Sequence, residues 1–393
     1  MNLVNEFVNV YGSAPQYSFF CPGRVNLIGE HIDYNGGLVM PCAIALGTHL
    51  LITPNDENIF RFKSLNFEEA IEIPVAPEYE KTGKAWYNYP LGVIDLFTRA
   101  GKKLSGLNML FVGNVPIGSG LSSSAAIEVA TAFALNTIFD IGYDKLDLVK
   151  YAQQVENKFI GVNCGIMDQF AVAFGEKDSA LVLNCDTLAY EAVPCGLDDY
   201  VLAIINTNKQ RTLADSKYNE RFAECRSALK NLQTRLPIQH LCDLNANDLE
   251  HNLDLIENFT IAKRAKHVVN ENERVHAAVK ALSDGQLEAF GELMYASHDS
   301  LRNLYEVTGK ELDCVIDFCK TQPHVVGARM TGAGFGGCAI ALVKKAHFDD
   351  FEKKLTWHYT DMIGYAPSVY MSEIGNGVYQ LNYSNTTEQE CIR

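Results

Sequence analysis

Residues 21 to 43 read Cys21-Pro-Gly-Arg24-Val-Asn26-Leu-Ile-Gly29-Glu30-His31-Ile-Asp33-Tyr-Asn-Gly36-Gly-Leu-Val-Met-Pro41-Cys-Ala43, a run in which charged and amide side chains are set among aliphatic ones. Arg24, Asn26, Glu30, His31, Asp33, Tyr34 and Asn35 are interleaved with Val25, Leu27 and Ile28, so they do not form one solvated face. Polar groups embedded in an apolar element need partners, found in each other or in a ligand. Gly23, Gly29, Gly36 and Gly37 allow positive φ or close approach by another group. By composition alone, a strand, a turn and a second strand with mutually paired charges explain the stretch equally well.

Further along, 107–112 predicts a buried strand. It leads into Gly113-Asn-Val-Pro-Ile-Gly118-Ser119-Gly120-Leu121-Ser122-Ser123-Ser124-Ala-Ala-Ile-Glu128 and then a strongly helical run over 129–139. Strand, small-residue loop and helix in this order aim free backbone amides and the positive end of the helix dipole at an anion such as phosphate. A helix cap needs one serine and this loop has three, with glycines beside them. Other glycine-based phosphate cradles are excluded by pattern, since the chain has no GxxxxGK[ST] and no HRD or DFG pair. Gly332-Ala-Gly334-Phe-Gly336-Gly337 satisfies the bare GxGxxG pattern, but 338–343 reads as a strand where a dinucleotide site needs a helix.

The remaining periodicities predict a lead-in helix over 1–12, a strand over 18–21 and antiparallel strands within 47–73. Helices are predicted over 86–99 and 143–160, the latter with Glu156 near its end. A loop from Gly161 then carries Asp168, a lone acid among small and apolar residues that an Asx-turn or helix cap would explain as well as chemistry would. A strand over 200–206 precedes a mostly helical region with helices at 260–282, 286–301 and 310–321. Strands at 325–329, 338–343 and 368–371 and a helix at 348–359 close the chain, and 235–258 has no clear period.

A chain of 393 residues is long for one core, which favours two domains with a cleft between them, divided as 1–180 and 181–393. The net charge of -15, from 48 acidic and 33 basic residues, disfavours nucleic acid or an anionic membrane as partner. The eleven cysteines stand singly, several in apolar runs (Cys42, Cys314, Cys338), and read as reduced core residues of a cytoplasmic protein. Neither a secretory leader nor an apolar run of spanning length is evident.

Pro22 to Met40 resembles the signature of galactokinases, members of the superfamily that also holds homoserine, mevalonate and phosphomevalonate kinases. The serine loop and the motif from Met330 to Gly337 stand in that superfamily's order and spacing. The resemblance implies an α+β fold with a mixed-sheet N-terminal domain, an α+β C-terminal domain and an active site between them. It implies ATP-dependent phosphorylation of the anomeric hydroxyl of galactose, the first committed step of galactose use, with galactose and MgATP as ligands of a monomer. Residue by residue, Asp168 is the implied base and Arg24 its charged partner, while Glu30, His31, Ile32, Asp33 and Tyr218 are implied at the sugar. Gly118, Ser119, Gly120, Leu121, Ser122, Ser123 and Ser124 would hold ATP, and Ser124 with Glu156 would hold Mg2+. Cys21 and Ile32 depart from the family's usual alanine and threonine. Isoleucine at the second position keeps an N-acetylgalactosamine kinase open, beside an arabinose kinase and a non-catalytic galactose sensor. The intact Ser122-Ser-Ser-Ala-Ala126 run ranks the sensor below an enzyme.

Overall fold

The computed structural model describes residues 2–116, 119–162, 164–209 and 214–381, without the side chains of 214–216. The expectation for Gly118 lies outside these residues. In chain order the strands are β1 (Tyr17–Asn26), β2 (Leu38–Val39), β3 (Pro41–Pro54), β4 (Ile59–Ser64), β5 (Ala70–Pro74), β6 (Leu107–Gly113), β7 (Ser179–Asn184), β8 (Tyr190–Pro194), β9 (Tyr200–Asn206), β10 (Val325–Thr331), β11 (Cys338–Lys344), β12 (Ser368–Ser372) and β13 (Tyr379–Gln380). The helices are α1 (Leu3–Tyr11), α2 (Asn88–Arg99), α3 (Ser123–Ile138), α4 (Lys145–Gln154), α5 (Met167–Phe174), α6 (Ala214–Leu232), α7 (Ala246–Glu250), α8 (Phe259–Ser283), α9 (Leu287–Ser300), α10 (Lys310–Lys320) and α11 (Phe348–Ile363).

Three sheets form, ordered β13-β1-β3-β6-β4-β5, β10-β11-β9-β12 and β2-β7-β8. In the first, β4 pairs antiparallel with β5, as expected within 47–73, and parallel with β6, which makes the sheet mixed. The α+β class is as expected. One apolar core gathers the first sheet with the buried faces of α2 to α5. A second gathers the four-stranded sheet with α6 and α8 to α11. The opening stretch spans both, because Phe19 and Cys21 belong to the first core while Val25, Leu27, Ile28 and Ile32 belong to the second.

Several boundaries differ from the periodicity reading for physical reasons. The strand expected at 18–21 continues to Asn26, since its polar residues are buried rather than turned out to water. The helix expected over 143–160 is capped by the Asp144 side chain and ends at Gln154, after which 155–160 forms a π-turn that closes on left-handed Gly161. Asp168 lies in the first turn of α5 and not in a loop, and its negative charge suits the positive helix end. The cysteines with described surroundings are all unpaired, and Cys164, Cys185, Cys242 and Cys314 are only partly buried, which corrects the reading of Cys314 as a core residue. Among the described residues no helix is long and apolar enough to cross a membrane.

Candidate active site

At Pro22–Arg24 the register of β1 against β3 shifts, a bulge that re-aims the strand. Gly23 is required there, because a Cβ atom would stand 2.6 Å from the Leu121 carbonyl oxygen. The Arg24 amide donates to that same carbonyl at 3.1 Å, and its Nη1 donates to Gly120 O at 2.8 Å. The remaining edge of the guanidinium forms a fork on Asp168, with Nε to Oδ1 at 2.9 Å and Nη2 to Oδ2 at 2.7 Å. Arg24 is buried, whereas the Asp168 side chain keeps 33% of its surface open. A planar fork of this kind fixes carboxylate orientation as well as charge.

Ser122 occupies the cap position of α3 in left-handed conformation (φ 62°) without capping the helix. Its hydroxyl donates instead to Asp168 Oδ2 at 2.7 Å. The start of α3 therefore lacks a side-chain cap, and its first amides are left for an anion. Gly120, at φ 79°, makes the turn into this cap. Farther into the helix, the Ser124 hydroxyl meets the Glu156 carboxyl, which burial pushes upward in pKa. Glu128, fully buried on the same helix, is pushed well above the carboxylate range by burial and then by Glu156. Among the described residues no group of three or more His, Cys, Asp or Glu side chains converges as a metal centre. Ser124 and Glu156 nevertheless fit a hard divalent cation that takes one or two protein oxygens and completes its shell with phosphate and water.

A cavity of about 180 Å³ opens beside Asp168, with Arg24, Glu30, His31, Asp33 and Tyr218 in its wall. Glu30 is almost fully enclosed: Asn26 Nδ2 donates to Oε2 at 2.5 Å and the Gly332 amide donates to Oε1 at 2.6 Å. Arg329, with no exposed surface, reaches Oε1 at 3.4 Å and the Asn26 carbonyl at 3.1 Å. Behind it Glu271 accepts from the Gly29 amide and Ser297; burial opposes its ionisation, but Arg274, His267 and Arg329 hold it at about 2. Asp33 behaves oppositely, raised from 3.8 to about 7 by burial and then by the Glu30 charge.

His31 lines the cavity with both ring nitrogens engaged. Burial lowers its pKa to about 3, so the ring is neutral. Nε2 faces the Ala333 carbonyl at 3.2 Å and must carry the proton, which leaves Nδ1 to accept from the Tyr34 hydroxyl at 2.9 Å. Tyr305 then donates to Tyr34 at 2.8 Å. Ile32 is wholly buried and packs under Gly37 without lining the cavity. Tyr218, in the first turns of α6, sets its ring 5.6 Å from both His31 and Tyr34. Sequence reasoning missed Arg329 and Glu271. A lone arginine inside the apolar strand before the third glycine motif was the available signal for the first of these.

An aspartate-bearing helix, an uncapped helix end behind a serine loop and a third glycine loop around one cleft suit a small-molecule kinase. Family models described as "GHMP kinases N terminal domain" and "GHMP kinases C terminal" match residues 88–176 and 278–359, which gives the class. The mevalonate kinase of Methanococcus jannaschii, 18% identical with a TM-score of 0.70 over 91% of this chain and 98% of its own, shares the fold. A third model, "Galactokinase galactose-binding signature", matches residues 5–54. The chain is 49% identical to galactokinase of Clostridium tetani, covering 96% of this chain and 97% of that one. It is 48% identical to that of Lactiplantibacillus plantarum, over 97% and 99%. The solved galactokinase of Lactococcus lactis complexed with galactose is 46% identical, with a TM-score of 0.91 over 96% of this chain and 99% of that one. The chain belongs to the galactokinase family.

Proposed function

We infer that the chain transfers the γ-phosphoryl group of ATP to the anomeric hydroxyl of α-D-galactose, giving galactose 1-phosphate and ADP. The observation that carries this reading is the Arg24–Asp168–Ser122 cluster, held at the mouth of the loop before α3 and facing a cavity walled by Glu30 and Asp33. Asp168 accepts the proton of the attacking hydroxyl, and Arg24 fixes the carboxylate and lies close enough to offset charge on the phosphoryl group. The α3 amides and the serine loop hold the triphosphate; Mg2+, when bound by Ser124 and Glu156, supplies further charge neutralisation. Glu30, Asp33 and Tyr218 read the sugar hydroxyls. His31, with its nitrogens engaged, ties the third glycine loop to the signature.

The galactose held by the Lactococcus lactis relative supports the acceptor assignment. Two largely separate apolar cores support a division near residue 180, with the signature reaching across it. The unpaired cysteines suit a reducing cytoplasm. The test is coupled ADP release with MgATP across galactose, N-acetylgalactosamine, glucose, arabinose and mevalonate. A response dominated by galactose is expected; sugar binding without ADP release, or a larger response to another acceptor, would overturn the reading.

A further inference from the structure

The sugar cavity shares part of its wall with a second cavity of about 670 Å³, for which the transfer of phosphate to galactose has no use. Asp33, Cys164, Gly165 and Tyr218 line both spaces, while Asp168, Arg24 and Glu30 line only the smaller one. Asp168 therefore stands on the wall away from the larger chamber, and an acceptor with its reacting hydroxyl at Asp168 turns its opposite edge toward that chamber. Gly165 keeps the boundary thin, since even a Cβ atom there would come within 3.2 Å of Asp33 Oδ2.

The lining of the chamber suits a second sugar unit. Tyr34, Tyr218 and Phe222 offer aromatic faces; among the described residues the side chains of Lys150 and Asn219 meet no hydrogen-bond or ion-pair partner, and the Tyr218 hydroxyl meets no hydrogen-bond partner. Flat apolar faces beside unspent donors and acceptors match the alternating apolar and hydroxyl faces of a pyranose. Its volume lies within the range of small-molecule sites.

We propose that the chamber is a subsite for a glycosyl substituent, so that the chain also phosphorylates disaccharides whose reducing-end unit is galactose. The proposal rests on the reading of galactose as acceptor. The step is the same: the γ-phosphorus bond to the bridging oxygen of ATP breaks and a bond to the free anomeric oxygen forms. The hydroxyl proton passes to Asp168 and ADP leaves, while the glycosidic bond is untouched.

The test measures ADP release, with 31P NMR of the product, for galactose and for reducing-end galactose disaccharides linked through O2, O3, O4 or O6. One or two linkages should be turned over with kcat/KM within roughly a hundredfold of galactose, the others not at all. Lys150→Trp, on the exposed face of α4, should abolish disaccharide turnover and leave galactose turnover within about twofold, because its indole occupies the chamber alone. Asn219→Trp is the second variant and should do the same from the opposite wall. Galactose turnover with no disaccharide phosphorylated, or disaccharide turnover unaffected by both variants, would overturn the subsite. A wild-type chain inactive on galactose itself would overturn the parent reading, and this one with it.

Discussion

Both oxygens of Asp168 are already engaged, by the Arg24 fork and the Ser122 hydroxyl, while a third of its side chain stays open to the cavity. In the proposed transfer a carboxylate so held orients the hydroxyl and takes its proton. Asp168→Asn keeps the shape and should still bind galactose and ATP by calorimetry, with kcat lowered by about two to four orders of magnitude. Arg24→Lys keeps the charge without the fork and should lose kcat with little change in galactose affinity. Asp33 gives a second test. Its pKa is raised to about 7, so the folded chain favours the neutral form, and this stabilisation is full below the ordinary 3.8 and lost as pH rises through about 7. Asp33→Asn should therefore raise the Tm relative to wild type at pH 8, with the gain vanishing toward pH 4. The same change should weaken galactose binding roughly tenfold or more at pH 8, where wild type presents a carboxylate acceptor. Arg24, Glu30 and Asp33 were legible because charged residues set within an apolar stretch demand an account. Arg329 was not, since a single arginine gives no sign of the carboxylate it meets some three hundred positions away in sequence.

The loop before α3 is set by backbone rather than side chains. Gly120 needs positive φ, and Gly23 yields the space its neighbouring carbonyl occupies. Gly120→Val brings a β-branched residue into left-handed conformation and should raise the KM for ATP at least tenfold, with galactose affinity nearly unchanged by calorimetry. An unchanged KM in a folded variant would make the loop structural only. The strand, loop and helix around this site were readable from small residues between two periodic runs. The start of α5 was not, because Met167–Phe174 is too short to show a period. β7 and β8 escaped for a related reason: each is brief, and β8 alternates only weakly between core and solvent.

For the whole molecule, the signature stretch runs from one apolar core to the other and meets the third glycine loop through Glu30, Arg329 and His31. Galactose bound at this seam should stabilise the entire chain, by about 2.7 kcal/mol at a hundredfold excess over Kd. Arg329→Met should remove most of the galactose-induced rise in Tm, while the rise produced by ATP remains. Two domains were expected from length alone, but the return of the chain as β13 beside β1 had no local signal, since a two-residue strand exists only through its partner.

Phosphoryl transfer to the anomeric oxygen with Asp168 as base is checked by 31P NMR of the product formed from galactose and MgATP. A single sugar phosphate coupled to the anomeric proton is predicted for wild type, with product formation by Asp168→Asn slowed at least a hundredfold. Phosphate on another hydroxyl, or the same product formed at wild-type rate by the variant, would contradict it.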